Sequence, residues 1–193
     1  MLKKFKIFFL FLLLSYVLSL EATAQDMAVP VNTQLDIFMK IFQFDRNIRR
    51  NNNKQLNILV LYQSKFRLSL TTKNNIMDES DNQKYLNLSG LAVKFIPYEL
   101  KGANDLSDIV SSAKISIIYL TPMRNIDLNE ILNITKNKKV LTITGVPSWI
   151  SEGISAGIDL KGDKPVILIN LQSSKAEGSD FSSQLLKLST VIN

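Results

Sequence analysis

No histidine and no cysteine occurs anywhere in the 193 residues of this chain. Those two absences together remove the usual zinc ligand sets, Ser-His-Asp triads, Cys-His pairs and thiol redox centres. Without thiols no disulfide braces the fold and no redox switch operates, so an apolar core alone has to hold the chain. No Gly-rich loop of the G-x-G-x-x-G or G-x-x-x-x-G-K type follows an apolar run, which leaves nucleotide binding by those loops unsupported. Internal repeats and low-complexity tracts are missing too. The one crowd of carboxylates, Asp78, Glu79 and Asp81 in "MDESDNQ", reads as a polar loop, with a carboxylate hydrolase as the remote alternative. We therefore expect no enzyme, no bound metal and no cofactor.

What is present is a composition 46% hydrophobic and 21% charged, enough for one core and too short for two. The opening "MLKKFKIFFLFLLLSYVLSLEATAQ" sets Lys3, Lys4 and Lys6 before an apolar run from Ile7 to Leu20, then offers Ala22-Thr23-Ala24 as a small-x-small cleavage site. This is the pattern of a Sec-type signal peptide over residues 1–24, cleaved near Ala24, with a single α/β domain over 25–193. An uncleaved membrane anchor is the rival reading. A bacterial lipid anchor needs a cysteine at the cut, and there is none. Removing residues 1–24 takes away three lysines and Glu21, so the formal charge falls from +6 to +4. Much of the basicity belongs to the targeting signal, and nucleic acid is not an expected partner. The cluster "RNIRRNNNK", with Arg46, Arg49, Arg50 and Lys54, reads as a solvated loop or as a contact for anionic lipid or an acidic partner.

Beyond residue 30, apolar β-rich runs alternate with segments of helical period, which predicts a layered α/β domain. In "NTQLDIFMKIFQFDRNI" two apolar stripes run side by side: Leu35, Phe38, Met39 and Phe42, and Ile37, Ile41, Phe44 and Ile48. Either the helix lies deep in its own domain or one stripe meets a second subunit or a partner. "LNILVLY" (56–62), "LAVKFIPYE" (91–99), "ISIIYLTP" (115–122) and "KVLTITGVP" (139–147) read as strands of a mostly parallel sheet, and residues 63–90 lean to helix plus loop. Asn104 or Asp105 is the expected cap of a helix carrying Leu106, Ile109, Val110 and Ala113. Asp127 and Glu130 open another that ends in Lys136, Lys138 and Lys139. "ISAGIDLKGDKPVILINL" predicts an antiparallel hairpin at one side of the sheet. Phe181, Leu185, Leu188 and Ile192 predict a closing amphipathic helix.

Ligands of open α/β sheets collect beyond the carboxyl ends of strands. The fourth run ends there in Thr144 and Gly145, and Ser148 and Trp149 come directly after it. They read either as a site for a small ligand or a protein contact, or as a turn whose tryptophan plugs the sheet.

The order strand, "TGVPSWISEGISAGIDL", hairpin, "INLQSSKAEGSDFSSQLLKLSTVI" resembles the YfiR-like family of exported bacterial proteins, which includes the HmsC-type regulators. The resemblance rests on Thr144, Pro147, Trp149, Gly153, Gly157, Ile169-Asn170-Leu171 and Ser182-Ser183-Gln184-Leu185-Leu186. It implies a Rossmann-like three-layer sandwich. It also implies a non-enzymatic periplasmic regulator that binds and restrains the sensor domain of a membrane-bound signalling enzyme, typically a diguanylate cyclase, in cyclic-di-GMP and biofilm control. Asn170, Ser182, Ser183 and Gln184 join Thr144, Gly145, Ser148 and Trp149 as partner- or ligand-binding candidates on this basis. The alternative is a periplasmic small-ligand module serving a sensor or a transporter. Two departures matter: the family's cysteines are absent, and its Gly-Gly pair becomes Gly153-Ile154.

Overall fold

Strand β1 (Gln55–Tyr62) sits near the middle of the sheet in the computed structural model, which describes residues 27–50 and 55–192. The signal read over residues 1–24 lies outside the described residues, as does Lys54. In β1, Leu56, Ile58 and Val60 enter one apolar cluster while Leu59 and Leu61 enter another. A strand without polar alternation is thus a strand covered on both faces. Around it β2 (Asn87–Leu88), β3 (Leu91–Glu99), β4 (Ile115–Leu120), β5 (Leu141–Thr144), β6 (Ala156–Lys161), β7 (Lys164–Asn170) and β8 (Ser189–Ile192) form one sheet in the order β2-β3-β1-β4-β5-β6-β7-β8. The pairs from β3 through β1, β4 and β5 to β6 are parallel, β6–β7 is antiparallel and β7–β8 is parallel again. One extra residue in β4, where the register passes from Asn57↔Ile115 to Ile58↔Ile117, shifts its phase, so that Ile115 shares a face with Ile118 and Leu120.

On one face lie α1 (Val31–Gln43), the short α2 (Arg46–Arg50) and α3 (Arg67–Ser80); α4 (Ala103–Ser112), α5 (Leu128–Lys138) and α6 (Ser148–Ser151) cover the other. The result is the three-layer α/β sandwich the sequence predicts, and residues 63–90 are indeed mainly helix. The predicted helix breaks at Phe44 and Asp45 between α1 and α2, and both apolar stripes are used inside the chain. Ile41 and Ile48 are buried, and Ile37 and Phe44 pack on the same core as Leu35, Phe38 and Phe42. The helix therefore covers its own sheet, and a homodimer through it gains no support from an exposed apolar stripe.

Asp127 caps α5 by accepting the Asn129 N–H at 2.9 Å. The Lys161–Lys164 turn closes the predicted hairpin, with Gly162 at φ 61 supplying the left-handed residue that a two-residue loop requires. Two expectations, on the cap of α4 and on the chain's last segment, need correction. Gly102, without a side-chain bond, stands at the cap of α4, and Asn104 and Asp105 fall inside its first turn. The closing helix α8 (Ser183–Lys187) ends after five residues, and the chain continues as β8. The hairpin is consequently one strand in from the edge. The physical reason is tertiary: the run Thr190-Val191-Ile192 is β-branched throughout, and the free side of β7 offers it a ladder that outweighs the helical period. Leu185 is buried as expected, whereas Leu188 is 68% exposed.

Candidate functional site

At the carboxyl end of β5, Thr144 turns inward. Its hydroxyl donates to the Leu120 carbonyl at 2.9 Å and accepts the Val146 N–H at 3.1 Å, tying β5 to β4 and starting the turn. Gly145 lies against the Gln34 side chain, and a Cβ placed there would stand 2.4 Å from Gln34 Oε1. Trp149 is 3% exposed within the α4–α5–α6 core, and Ser148 alone of this group faces solvent. Asn170 is buried next to the same short helix: its Nδ2 donates to the Ile150 carbonyl at 3.0 Å, and its Oδ1 accepts the Ser173 N–H at 2.9 Å, capping α7 (Leu171–Ala176). The structure thus gathers Thr144, Gly145, Trp149 and Asn170 as internal ties. Ser182 caps α8 through Leu185 N–H, while Ser183 and Gln184 are exposed on that separate element.

Gln34 fills the space a residue larger than glycine would need. It is fully buried on α1, donates through Nε2 to the Val29 carbonyl at 2.7 Å and accepts the Tyr119 hydroxyl at 2.5 Å. Complete burial pushes the Tyr119 phenol far above its ordinary range, so it serves as a neutral donor. On this face the chain's own Met27–Pro30 segment occupies the carboxyl edge. Gly145→Ala is expected to cost about 1–3 kcal/mol, because Gln34 must leave both partners or the turn must shift. A urea midpoint unchanged from wild type would show the contact to be slack.

Open space lies instead beyond β1, β3 and β4, where the strand order reverses about β1 and ligands of such sheets commonly sit. Gln63 holds the loop after β4 in a two-way clasp: its Nε2 donates to the Arg124 carbonyl at 2.9 Å and its Oε1 accepts the Arg124 N–H at 2.8 Å. The Arg124 guanidinium then rests 4.5 Å from the Phe66 ring centre. These residues, with Lys65, Glu99 and Ser64, line a crevice of about 510 Å³. A second crevice of about 200 Å³ adjoins it at Gln63, Leu100 and Asn125. A cation stacked on an aromatic face beside a second lysine suits a small planar or anionic molecule. The Asp78, Glu79 and Asp81 carboxylates lie at the far end of α3, and Asp78 and Glu79 belong to its last turn with Asp81 at the cap, which corrects the polar loop expected of that stretch.

Sequence reading missed Glu177, which follows α7 and is 1% exposed. Its carboxylate accepts from the Thr135 hydroxyl at 2.6 Å, the Thr142 N–H at 2.8 Å, the Thr142 hydroxyl and the Ser155 hydroxyl. Burial raises its pKa, and the four donors offset part of that rise. The signal was present as three hydroxyl residues in otherwise apolar runs, Thr135 in "ILNIT", Thr142 in "VLTIT" and Ser155 in "GISAG". Each needs a polar partner indoors.

Solved structures share this fold at low identity. The chain is similar to an ABC domain in complex with L-Trp from Streptococcus pneumonia, with 15% identity and a TM-score of 0.56 over 84% of this chain and 60% of that one. It is similar to a ligand-free, open substrate binding protein with adhesive properties from Clostridium difficile, with 15% identity and a TM-score of 0.58 over 86% and 60%. A conserved domain protein from Vibrio cholerae matches with 11% identity and a TM-score of 0.55 over 85% and 60%. The chain spans only 60% of each of these proteins, and likeness at such identity shows the fold alone. Among curated proteins none matches. From Leu35 in α1 to Thr190 in β8, residues 35–190, the sequence matches the family described as YfiR/HmsC-like, and the chain belongs to that family.

Proposed function

We propose that this protein is a non-enzymatic regulator that binds the sensor domain of a membrane-bound signalling enzyme, a diguanylate cyclase, and holds it inactive, thereby limiting cyclic-di-GMP and biofilm formation. Family membership over residues 35–190 carries the reading, since the family is a periplasmic, regulatory and non-catalytic one. No helix among the described residues is long and apolar enough to cross a membrane.

The surface assigned to that partner is the outer edge of β8. Among the described residues β8 pairs with β7 only, and its sequence Ser189-Thr190-Val191-Ile192 contains neither proline nor charge to blunt the edge. Leu188 at 68% exposure and Val191 at 37% stand beside it, with Ser183 and Gln184 exposed on the preceding helix. An edge of this kind accepts a partner strand through main-chain hydrogen bonds, with neighbouring apolar side chains adding selectivity. A stimulus would release the partner only by binding the free and bound forms with different affinity.

Leu188→Asp tests the assignment. Its stability should stay within about 0.5 kcal/mol of wild type because the side chain is in water. The variant should no longer co-purify with the membrane signalling protein and should raise cellular cyclic-di-GMP to the level of a deletion strain. Wild-type co-purification and signalling by a folded Leu188→Asp protein would remove β8 from the interface.

A second reading, a small-ligand module serving a sensor or transporter, is favoured by the Phe66–Arg124 crevice at the strand-order reversal. It requires a tightly held metabolite on the purified protein and no membrane partner.

A further inference from the structure

Absence of thiols rules out a disulfide switch, but the thioether of methionine is also oxidisable sulfur, and its sulfoxide can be reduced again. The methionines among the described residues differ in access: Met39 and Met123 are buried, at 7% and 0% exposure, while Met27 and Met77 are half-buried. Their surroundings set Met27 apart. It packs against both apolar clusters, and its Sδ is met by polar groups from three elements: Gln34 Nε2 of α1 at 3.7 Å, the Tyr119 hydroxyl of β4 at 3.9 Å and the Thr72 hydroxyl of α3 at 4.0 Å. Among the described residues no other methionine sulfur is approached by a donor.

A thioether is a weak acceptor, so donors aimed at it are under-used. Thr72 shows this most plainly. It is 1% exposed, and among the described residues its hydroxyl donates to nothing but the Met27 sulfur. Buried hydroxyls ordinarily have a stronger acceptor than that. Gln34 gives one of its two amide protons to the Val29 carbonyl at 2.7 Å and turns the other toward the sulfur. Tyr119 has a single proton, and it goes to Gln34 Oε1. Two donors from two helices, Gln34 and Thr72, therefore converge on one sulfur atom that makes little use of them.

We propose that Met27 is an oxidation site whose sulfoxide is held by Thr72 and Gln34. A sulfur lone pair attacks one oxygen of hydrogen peroxide, the S–O bond forms and the O–O bond breaks. The leaving hydroxide takes the proton of the transferred oxygen and departs as water; sulfur loses two electrons and the peroxide gains them. The new oxygen stands one bond out from the sulfur, closer to donors that lie 3.7 and 4.0 Å from the sulfur itself, and it is a strong acceptor. A sulfoxide commonly disrupts an apolar core. Here it supplies the acceptor that Thr72 and Gln34 lack and fastens the Met27–Pro30 segment to α1 and α3. The site does not involve β8 and stands whether or not that edge receives a partner.

Peroxide treatment of the purified protein, followed by peptide mass mapping, should add one oxygen to Met27 before Met39 or Met123 reacts. Exposure alone would do as much, so stability decides. With Met27 oxidised, the urea midpoint of the wild type should equal or exceed that of the untreated protein, and the Gln34 side-chain amide should shift in the ¹⁵N spectrum. In Thr72→Val, which keeps the shape and drops the donor, the same oxidation should lower the midpoint by about 0.5 M, the loss of one hydrogen bond at an ordinary urea slope. Met27→Leu, treated alike, subtracts any contribution of Met77. A wild type that loses as much stability on oxidation as Thr72→Val would overturn the proposal, as would Met27 left unmodified once Met77 has fully reacted. A Gln34 amide that does not move on oxidation would overturn it too, and that reading does not depend on whether Thr72→Val folds.

Discussion

Replacing Glu177 with alanine is expected to lower the unfolding free energy by about 3–5 kcal/mol, read from urea denaturation at neutral pH. The carboxylate is a hub at which four elements meet: it follows α7 and accepts from Thr135 of α5, Thr142 of β5 and Ser155 just before β6. Removing it leaves the Thr142 N–H and the Thr142 and Ser155 hydroxyls without an acceptor indoors, each costing about 1–3 kcal/mol before relaxation. Thr135 has a fallback, since its hydroxyl also lies 3.1 Å from the Leu132 carbonyl. Glu177→Gln should behave differently. It keeps the shape and one oxygen, the surrounding hydroxyls can rotate to accept, and the cost of burying a charge disappears, so the net change should stay within about 1 kcal/mol. An alanine variant as stable as the glutamine variant would show that the hub does not bind these elements together.

The two forms also separate in their response to pH. Burial raises the Glu177 pKa above its ordinary value of 4.5, so the folded chain holds its proton more tightly than the unfolded one. Between 4.5 and the raised folded value the native state carries more bound protons, and the unfolding free energy falls as pH rises through that window. The contribution is full below the unfolded pKa and lost above the folded one. Relative to Glu177→Gln, whose amide does not titrate, the wild type should therefore be more stable at acid pH than at alkaline pH. A difference that grows with pH would mean that the four donors outweigh desolvation and that the shift has the opposite sign.

What the sequence disclosed follows the strength of its local signals. Runs such as "LNILVLY" and "ISIIYL" have no polar break, and only a doubly covered strand accommodates that, so the layered sheet was legible. Asp127 and the Lys161–Lys164 turn carry their own chemistry and were read correctly. The closing segment misled because Phe181, Leu185, Leu188 and Ile192 fit a helical period by coincidence, while the deciding fact, the open side of β7, is tertiary. Buried polar residues were the least legible. Nothing near Gln34 in sequence announces that Tyr119, 85 residues away, is its partner. Nothing near Glu177 announces Thr142, 35 residues away. Asp45 was hidden inside a segment read for its apolar stripes. Pattern reading finds faces, and these residues are exceptions to their faces.

Trp149→Ala is expected to destabilise the protein by about 3–5 kcal/mol through loss of the indole and the cavity it leaves. The side chain is 3% exposed in the core that Leu120, Leu132, Val146, Ile150 and Ile154 also form, at the start of a four-residue helix that has little stability of its own. With typical domain stabilities of about 5–15 kcal/mol, such a loss leaves a marginal fold. The measurement is urea unfolding by far-ultraviolet circular dichroism, because the variant removes the sole tryptophan and with it the fluorescence signal. Any change in signalling by this variant would follow from the fold. Trp149→Phe keeps a large aromatic in the same space and should recover most of the stability. If Trp149→Phe is stable yet signals like a deletion, the indole itself contacts the partner, and the conformation around α6 must open to let it do so. If Trp149→Ala loses less than about 1 kcal/mol, the tryptophan does not anchor α6 and the buried packing described at the end of β5 is not the resting state.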